Sequence, residues 1–356
     1  MTVFGIESSC DECAAAVVVD GKEILSNVVA TQIPFHEIYD GVVPEIASRK
    51  HTEWVSEVAQ EALDKAGLKP SQIDGIAATA KPGLLGSLLV GLSFAKAFAW
   101  SLNIPFIGTD HMLSHLYAPR LSLTSERVQN VPAYPFLGLL VSGGHTIICK
   151  VSDFDQVSVL GTTIDDAVGE AFDKVSKHYG FGYPGGAYID KLAVSGDAAA
   201  FSFPMPNLHK GEHRYDVSYS GLKTAVINQL DQFRRKDKSG NLYDTSTGSV
   251  SARAEDIAAS FQKTAVDILL RALLHAVEDT GLTTIVAGGG VAANSYLRSC
   301  LANRKDLHCF FPPLELCGDN GAMVAGLGYQ YLARGETSPL NITASSRVTA
   351  FKRRYP

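Results

Sequence analysis

Residues Val3–Ala30 read VFGIESSCDECAAAVVVDGKEILSNVVA. An apolar run, a polar turn at Glu7–Glu12, a second apolar run, Asp20-Gly21 and a third run predict three consecutive strands. Asp-Gly between β-rich runs is a strong hairpin signal, because type I′ turns need positive φ at both central positions. Downstream, Trp54, Val58 and Ala62, flanked by Val55, Ala59 and Leu63, form a stripe at helical spacing. They predict a helix from Pro44 to about Ala66, with Gly67 at its C-terminal cap. A strand over Gly75–Ala80, a Pro-Gly turn, a helix over about Leu84–Leu102, a strand over Ile104–Gly108 and a helix opening near His111 follow.

The plan then repeats. Pro135–Leu160 (PFLGLLVSGGHTIICKVSDFDQVSVL) is again strand, Ser/Gly turn, strand, turn, strand. Thr283–Ala287 reads as a strand, Gly288–Gly290 as a turn, Ala293–Asn303 as a helix and His308–Phe311 as a strand, with a helix opening near Asp319. Three β runs followed by β-α-β-α thus occur twice. The second copy carries extra helical sequence between Asp165 and Gly281, including an amphipathic stretch from about Glu255 to Thr280. The expectation is an α/β protein of two lobes, 1–125 and 126–334, with a helical insertion around 165–280 and a loose tail over 335–356. Leu121–Tyr134, polar with a Pro, reads as the linker. Such lobes predict an interlobe cleft, since ligands of open α/β sheets bind at the carboxyl ends of strands.

The chain of 356 residues is 46% hydrophobic and 19% charged, which suits a large buried core and excludes a mostly disordered protein. Its formal net charge of −6 excludes a protein that blankets nucleic acid, so any RNA contact must be local. The longest uncharged stretches, Val128–Cys149 and Thr280–Leu297, are broken by Gly, Pro, Ser or His and do not demand a membrane. Acidic Glu7, Asp11 and Glu12 precede the first basic residue, Lys22, which argues against a leader peptide. Six cysteines are too sparse for a disulfide scaffold, so a reducing cytoplasm is expected. Cys10 and Cys13 form a lone C-x-x-C without a second pair, and buried apolar thiols are the simpler reading.

Chemistry concentrates in a few motifs. In HMLSH, His111 and His115 are four apart at a helix start, so both imidazoles project from one face and can reach one cation. Asp319, in LELCGDNGAM, follows the last strand of the second copy as His111 follows that of the first. A His-His-Asp set leaves coordination positions open, the pattern of catalytic sites, and suits Zn or Fe(II) alike. The competing reading has Asp319 simply capping its helix. Zincin protease chemistry is excluded, because the base position after the first histidine is Met112.

Three glycine-rich turns, Ser142–Thr146 (SGGHT), Tyr183–Asp190 (YPGGAYID) and Ala287–Ser295 (AGGGVAANS), expose backbone N–H groups in the manner of nucleotide and phosphate cradles. GxxxxGK[ST] is absent, so P-loop chemistry is not indicated; GFGYPG at Gly180–Gly185 fits GxGxxG but follows no strand-like run, so dinucleotide chemistry is not indicated either. The carboxylates of Glu7–Glu12 suit proton transfer or simply a solvated turn. The basic runs Arg234, Arg235, Lys236, Lys238 and Lys352–Arg354 suit RNA phosphates or solvated loops.

Taken together, ESSCDE, PEIASRKH, KPGLLGSLLVG, HMLSH, LVSGGHT, GEAFDK, YPGG, YSGLKTA, AGGGVAANS and CGDNGAM stand in the order seen in the TsaD family. These are the tRNA N6-adenosine threonylcarbamoyltransferases, once taken for O-sialoglycoprotein endopeptidases or glycoproteases. The resemblance runs from about Val3 to Leu332 and looks like the bacterial cytoplasmic type. It implies an actin-like (hexokinase/Hsp70-type) fold. It also implies transfer of threonylcarbamoyl from threonylcarbamoyl-AMP to N6 of adenosine 37, in tRNAs reading codons that begin with A. Carried over by position, His111, His115 and Asp319 would bind one divalent metal ion, Fe2+ or Zn2+. Leu140, Val141, Ser142, Gly143, Gly144, Asp173, Gly186, Asp190 and Asn294 would hold the acyl-adenylate, and Asp11, Glu12 and His145 would lie near the reacting centre. The implied partners are tRNA, the paralogue TsaB as a heterodimer and the ATPase TsaE. The chain departs from the family pattern at Lys81, Cys13, Gly318 and Gly321, none of them a carried-over ligand. Two rival readings remain at this level: an ATP-dependent sugar kinase or ATPase of the same fold, holding Mg2+ through carboxylates, and a catalytically silent scaffold.

Overall fold

A computed structural model describes residues 1–39, 41–123, 131–208, 211–236, 243–244, 249–250 and 252–347. In chain order, strands β1 (Thr2–Glu7), β2 (Glu12–Val19) and β3 (Glu23–Thr31) precede helices α1 (Ile33–His36) and α2 (Pro44–Ala66). Then come β4 (Gly75–Lys81), α3 (Leu85–Leu102), β5 (Phe106–Asp110) and α4 (His111–Tyr117). The chain continues with β6 (Phe136–Val141), β7 (Thr146–Asp153), β8 (Gln156–Thr162), α5 (Val168–Tyr179), α6 (Gly186–Ala193) and α7 (Ser220–Lys236). A two-stranded ladder, β9 (Tyr243–Asp244) and β10 (Ser249–Val250), precedes α8 (Ala252–Thr280), β11 (Thr284–Gly288), α9 (Ser295–Ala302), β12 (His308–Phe310) and α10 (Gly321–Ala333).

Contacts divide the chain into two compact units. The first comprises Met1–Tyr134, Val151–Val157 and Phe310–Lys352. Its sheet has the order β3-β2-β1-β4-β5. The predicted hairpin forms with Asp20 at φ 50° and Gly21 at φ 66°, the positive-φ pair that Asp-Gly supplies. β1 runs parallel to β4, and β4 to β5. The C-terminal residues Glu7, Lys81 and Asp110 therefore emerge at one end of the sheet, and that end carries the site described below. Alternation sends side chains to two cores. Phe4, Ile6, Val17, Ile76 and Ala78 pack with Val55 and Val58 of α2 and Leu92 and Ala95 of α3. Val3, Ala16, Val18 and Ala77 pack with Met323, Val324 and Leu327 of α10. Helix α10 lies so close to β1 that a Cβ at Gly5 would come within 2.3 Å of the Gly321 carbonyl oxygen and 2.5 Å of Ala325 N.

Three expectations need adjustment. Asn103 takes a left-handed conformation that ends α3, and the strand after it starts at Phe106, two residues beyond the expected Ile104. The segment after α10 is not loose where it is described: Ser338 N donates to the Phe106 carbonyl (2.7 Å), Ser345 N donates to the Ala80 carbonyl (2.9 Å), and Ile342 packs on the first core. Finally, α3 is long and apolar enough to cross a membrane by length and composition. Its buried face, Ser87, Leu88, Gly91, Leu92, Ala95 and Ala99, is that of a helix packed on α2 and β4. The expected linker falls partly, at 124–130, outside the described residues, as do Lys238 and Lys352–Arg354.

The second unit comprises Pro135–Lys150 and Ser158–Cys309. Its sheet has the order β12-β11-β6-β7-β8. Numbered within each copy, this is the same third-second-first-fourth-fifth arrangement as the first sheet, so the repeat read from the sequence is a repeat of topology. β11 runs parallel to β6, with Ala287 opposite Leu139 and Gly288 opposite Leu140, and the turns after β6 and β11 leave from the same end. The inserted helices supply their own core, where the rings of Phe172 of α5 and Phe261 of α8 meet at a tilt of 52° with centroids 4.9 Å apart.

Candidate metal centre and glycine-rich turns

The candidate metal centre lies within the first unit. Asp110 closes β5 and caps α4, its carboxylate accepting from Met112 N (2.9 Å) and Leu113 N (3.3 Å), while burial pushes its pKa up to about 6. The cap starts the helix at His111, so His111 and His115 share one face, with ring centroids 4.6 Å apart. Asp319 arrives from the turn before α10. Its own helix is capped by Asn320, whose Oδ1 accepts from Met323 N (2.9 Å), so Asp319 is not spent on capping. Asp319 Oδ1 lies 3.1 Å from His115 Nε2 and 3.6 Å from His111 Nε2. One potential ligand atom from each of the three residues falls within 4.8 Å of the others.

Buried acid surrounds this group. Glu7, at the end of β1, is fully buried and lies 3.1 Å from His111 Nδ1. Burial opposes charge on every member, yet Asp319 and Glu7 push His111 up to about 9, and the imidazoles hold Asp319 below the usual carboxylate range. Burial, Asp319 and Asp11 push Glu12 up to about 10. Two imidazoles and a carboxylate converge amid further carboxylates, Glu7 and Glu12, beside which no buried Lys or Arg is found among the described residues. This donor set and excess negative charge fit a divalent cation. The turn bearing Asp11 and Glu12 is clamped from below: Gln32 N donates to the Asp11 carbonyl (3.1 Å), His51 Nε2 donates to that of Cys10 (3.0 Å) and Leu84 N donates to that of Ser9 (2.7 Å). Sequence reasoning named Glu7 among the acidic turn residues without its partner His111, and missed Asp110, Gln32 and His51 as contributors. Only Asp110 carried a usable signal, an aspartate directly before a helix start.

The glycine-rich turns lie within the second unit. Leu140 and Val141 end β6 fully buried, and Ser142–Gly144 form the following turn, where Ser142 N donates to the His145 carbonyl (2.8 Å) and Ser142 Oγ accepts from His145 N (3.1 Å). His145 is exposed at this turn, whereas Asp11 and Glu12 belong to the first unit. Asp173 Oδ1 accepts from Gly185 N (2.7 Å), fixing the turn ahead of Gly186, and its Oδ2 would be 3.9 Å from a Cβ on Gly143. Asp190 of α6 accepts from Asn294 Nδ2 (3.2 Å), Ser295 N (3.0 Å) and Ser295 Oγ (2.8 Å). The structure therefore links the first turn to Asp173 and Gly186, and Asp190 to Asn294. Gly289, at φ 92°, is obligatory, since a Cβ there would come within 2.4 Å of the Val141 carbonyl oxygen. Gly144 and Gly290 face open space, so backbone amides and carboxylates line a surface that a ligand can approach.

Comparison with known proteins bears on both halves. The family model for TsaD, tRNA N6-adenosine threonylcarbamoyltransferase, matches residues 23–326. A protein of that name from Treponema denticola is 63% identical over 354 residues, covering 99% of both chains. One from Borrelia hermsii is 49% identical over 352 residues, covering 99% of this chain and 98% of the other. Among solved structures, full-length HypF in a phosphate- and nucleotide-bound form aligns with TM-score 0.57 at 13% identity, over 95% of this chain and 47% of HypF. The Acidaminococcus fermentans (R)-2-hydroxyglutaryl-CoA dehydratase component A aligns with TM-score 0.52 at 14% identity, over 94% and 99% of the two chains. These structures establish the actin-like fold alone. The sequence matches establish more: the chain belongs to the TsaD family of tRNA N6-adenosine threonylcarbamoyltransferases.

Proposed function

We propose that the chain transfers the threonylcarbamoyl group from threonylcarbamoyl-AMP to N6 of adenosine 37 in tRNAs reading codons that begin with A. The product is N6-threonylcarbamoyladenosine. The observation that carries this reading is the family match, with 63% identity along 99% of a relative of that name. A sugar kinase or ATPase of the same fold is not favoured, because it has no use for His111 and His115 beside Asp319.

In this reading His111, His115 and Asp319 would hold one divalent cation, Fe2+ or Zn2+, which when bound supplies Lewis-acid stabilisation of charge on a carbonyl oxygen. The backbone of Leu140–Gly144, with Asp173, Gly186, Asp190 and Asn294, binds and orients the acyl-adenylate, so that the AMP leaving group departs against N–H donors. The exocyclic amine of adenosine is a weak nucleophile, so positioning and proton removal carry much of the barrier. Burial and the carboxylates of Asp319 and Asp11 push Glu12 upward, which favours its protonated form and suits it to giving a proton. Asp11 and His145 are then the candidates for taking the N6 proton. Further parts of the proposal are a cytoplasmic location, a TsaB heterodimer and the ATPase TsaE.

Nucleoside mass spectrometry of tRNA from cells depleted of this protein tests the reading. Loss of threonylcarbamoyladenosine is expected, and its persistence overturns the assignment.

A further inference from the structure

Glu7 is a carboxylate with no access to solvent, set at the C-terminal end of β1. Burying an ionised group is costly unless its lone pairs are met, and here they are. Oε1 accepts from Ser9 N (2.5 Å), and Oε2 accepts from Thr79 Oγ1 (2.6 Å) on the neighbouring strand β4. Oε2 also lies 3.1 Å from His111 Nδ1.

The directions of these bonds settle which way the last one runs. Thr79 and the Ser9 amide are donors, so Glu7 acts as acceptor throughout, and His111 Nδ1 must carry the hydrogen. Ser9 Oγ lies 3.1 Å from the same nitrogen and is a second oxygen within reach of that hydrogen. Nδ1–H is thus shared between Glu7 and Ser9, and Nε2 is left to point at Asp319, 3.6 Å away. His115 is treated differently: its Nδ1 is buried without a hydrogen-bond partner among the described residues.

We propose that Glu7, braced by Thr79, is a positioning residue that fixes the tautomer and ring orientation of His111, making His111 the preset member of the ligand pair and His115 the adaptable one. The proposal rests on the reading of His111 as a metal ligand. A carboxylate behind a metal-bound imidazole raises the basicity of the ligand and restricts its rotation, and removing such a partner weakens metal binding.

The test uses the full-length chain stripped of metal and titrated with Co2+ alone, with affinity from chelator competition and geometry from the visible Co2+ absorption. Glu7→Gln keeps the shape and removes the charge. It should bind about 10- to 100-fold more weakly, with an altered Co2+ spectrum. Thr79→Val should weaken binding less, in the same direction. Affinity and spectrum of Glu7→Gln indistinguishable from the parent chain overturn the proposal. If thermal unfolding shows that Glu7→Gln does not fold, Thr79→Val decides, and parental affinity there overturns it equally. Failure of the parent chain to bind Co2+ would sink the metal reading and this proposal together, whereas parental binding matched by Glu7→Gln sinks the positioning role alone.

Discussion

Asp190 and Asn294, 104 positions apart, meet through a hydrogen bond of 3.2 Å from the Asn294 amide to Asp190 Oδ1. Asn294 also caps α9, its Oδ1 accepting from Leu297 N (2.9 Å). One side chain therefore starts a helix and holds a carboxylate in place. Asn294→Ala should cost about 1–2 kcal/mol of stability through the lost cap. Asn294→Asp keeps the cap but sets two carboxylates together, so it should harm acyl-adenylate binding more than it harms stability. Thermal unfolding beside equilibrium binding of the acyl-adenylate separates the two effects.

His115→Ala removes one of the three convergent groups while leaving the Asp110 cap of α4 untouched. Threonylcarbamoyladenosine formation should fall by about 100-fold or more, with metal content lost and the far-UV spectrum retained. Parental product levels in this variant would reject the metal role.

Gly289 and Gly290 are adjacent but make opposite demands. Gly289→Ala forces a Cβ to 2.4 Å from the Val141 carbonyl oxygen at φ 92° and should destabilise the second unit by about 2 kcal/mol or more. Gly290 has open space about it, so Gly290→Ala should change stability by no more than about 0.5 kcal/mol. A loss of acyl-adenylate affinity in Gly290→Ala without loss of stability would mark that open space as ligand space.

Glu12 carries a pH signature. Its pKa rises from 4.5 to about 10 through burial and the carboxylates Asp319 and Asp11. A carboxyl raised on folding contributes stability in full below its unfolded pKa and loses it as pH climbs toward the folded value. Metal-free protein should therefore weaken between about pH 5 and about pH 10, by at most about 1.4 kcal/mol per pH unit from this group. Glu12→Gln should flatten that decline, as followed by thermal unfolding across the range, and an unchanged slope would remove Glu12 as its source.

Much of this was legible in the sequence because it is local. Asp20-Gly21, Gly67 and the four-residue spacing of His111 and His115 are short-range signals whose physics is complete within a few residues, and each is found as read. The repeated succession of strands and helices followed from pattern alone, whereas the order of strands within each sheet is seen only in the structure. Glu7 was not legible in its role, because its partners Thr79 and His111 are 72 and 104 positions away and are brought to it only by the parallel pairing of β1, β4 and β5. The segment after α10 misled for a related reason. A polar stretch with few apolar residues reads as loose, yet backbone bonds from Ser338 and Ser345 to strand ends fasten it.

The position of α10 has a consequence for biosynthesis. This helix stands far from β1 along the chain, yet it covers one face of the sheet to which β1 belongs, and the turn ahead of it brings Asp319 to the two histidines. A nascent chain that has not yet reached Gly321 therefore keeps an apolar sheet face uncovered. A message broken upstream of codon 319 thus yields a polypeptide lacking both that cover and one of the three convergent side chains, and chaperones and proteases can recognise its bare sheet face.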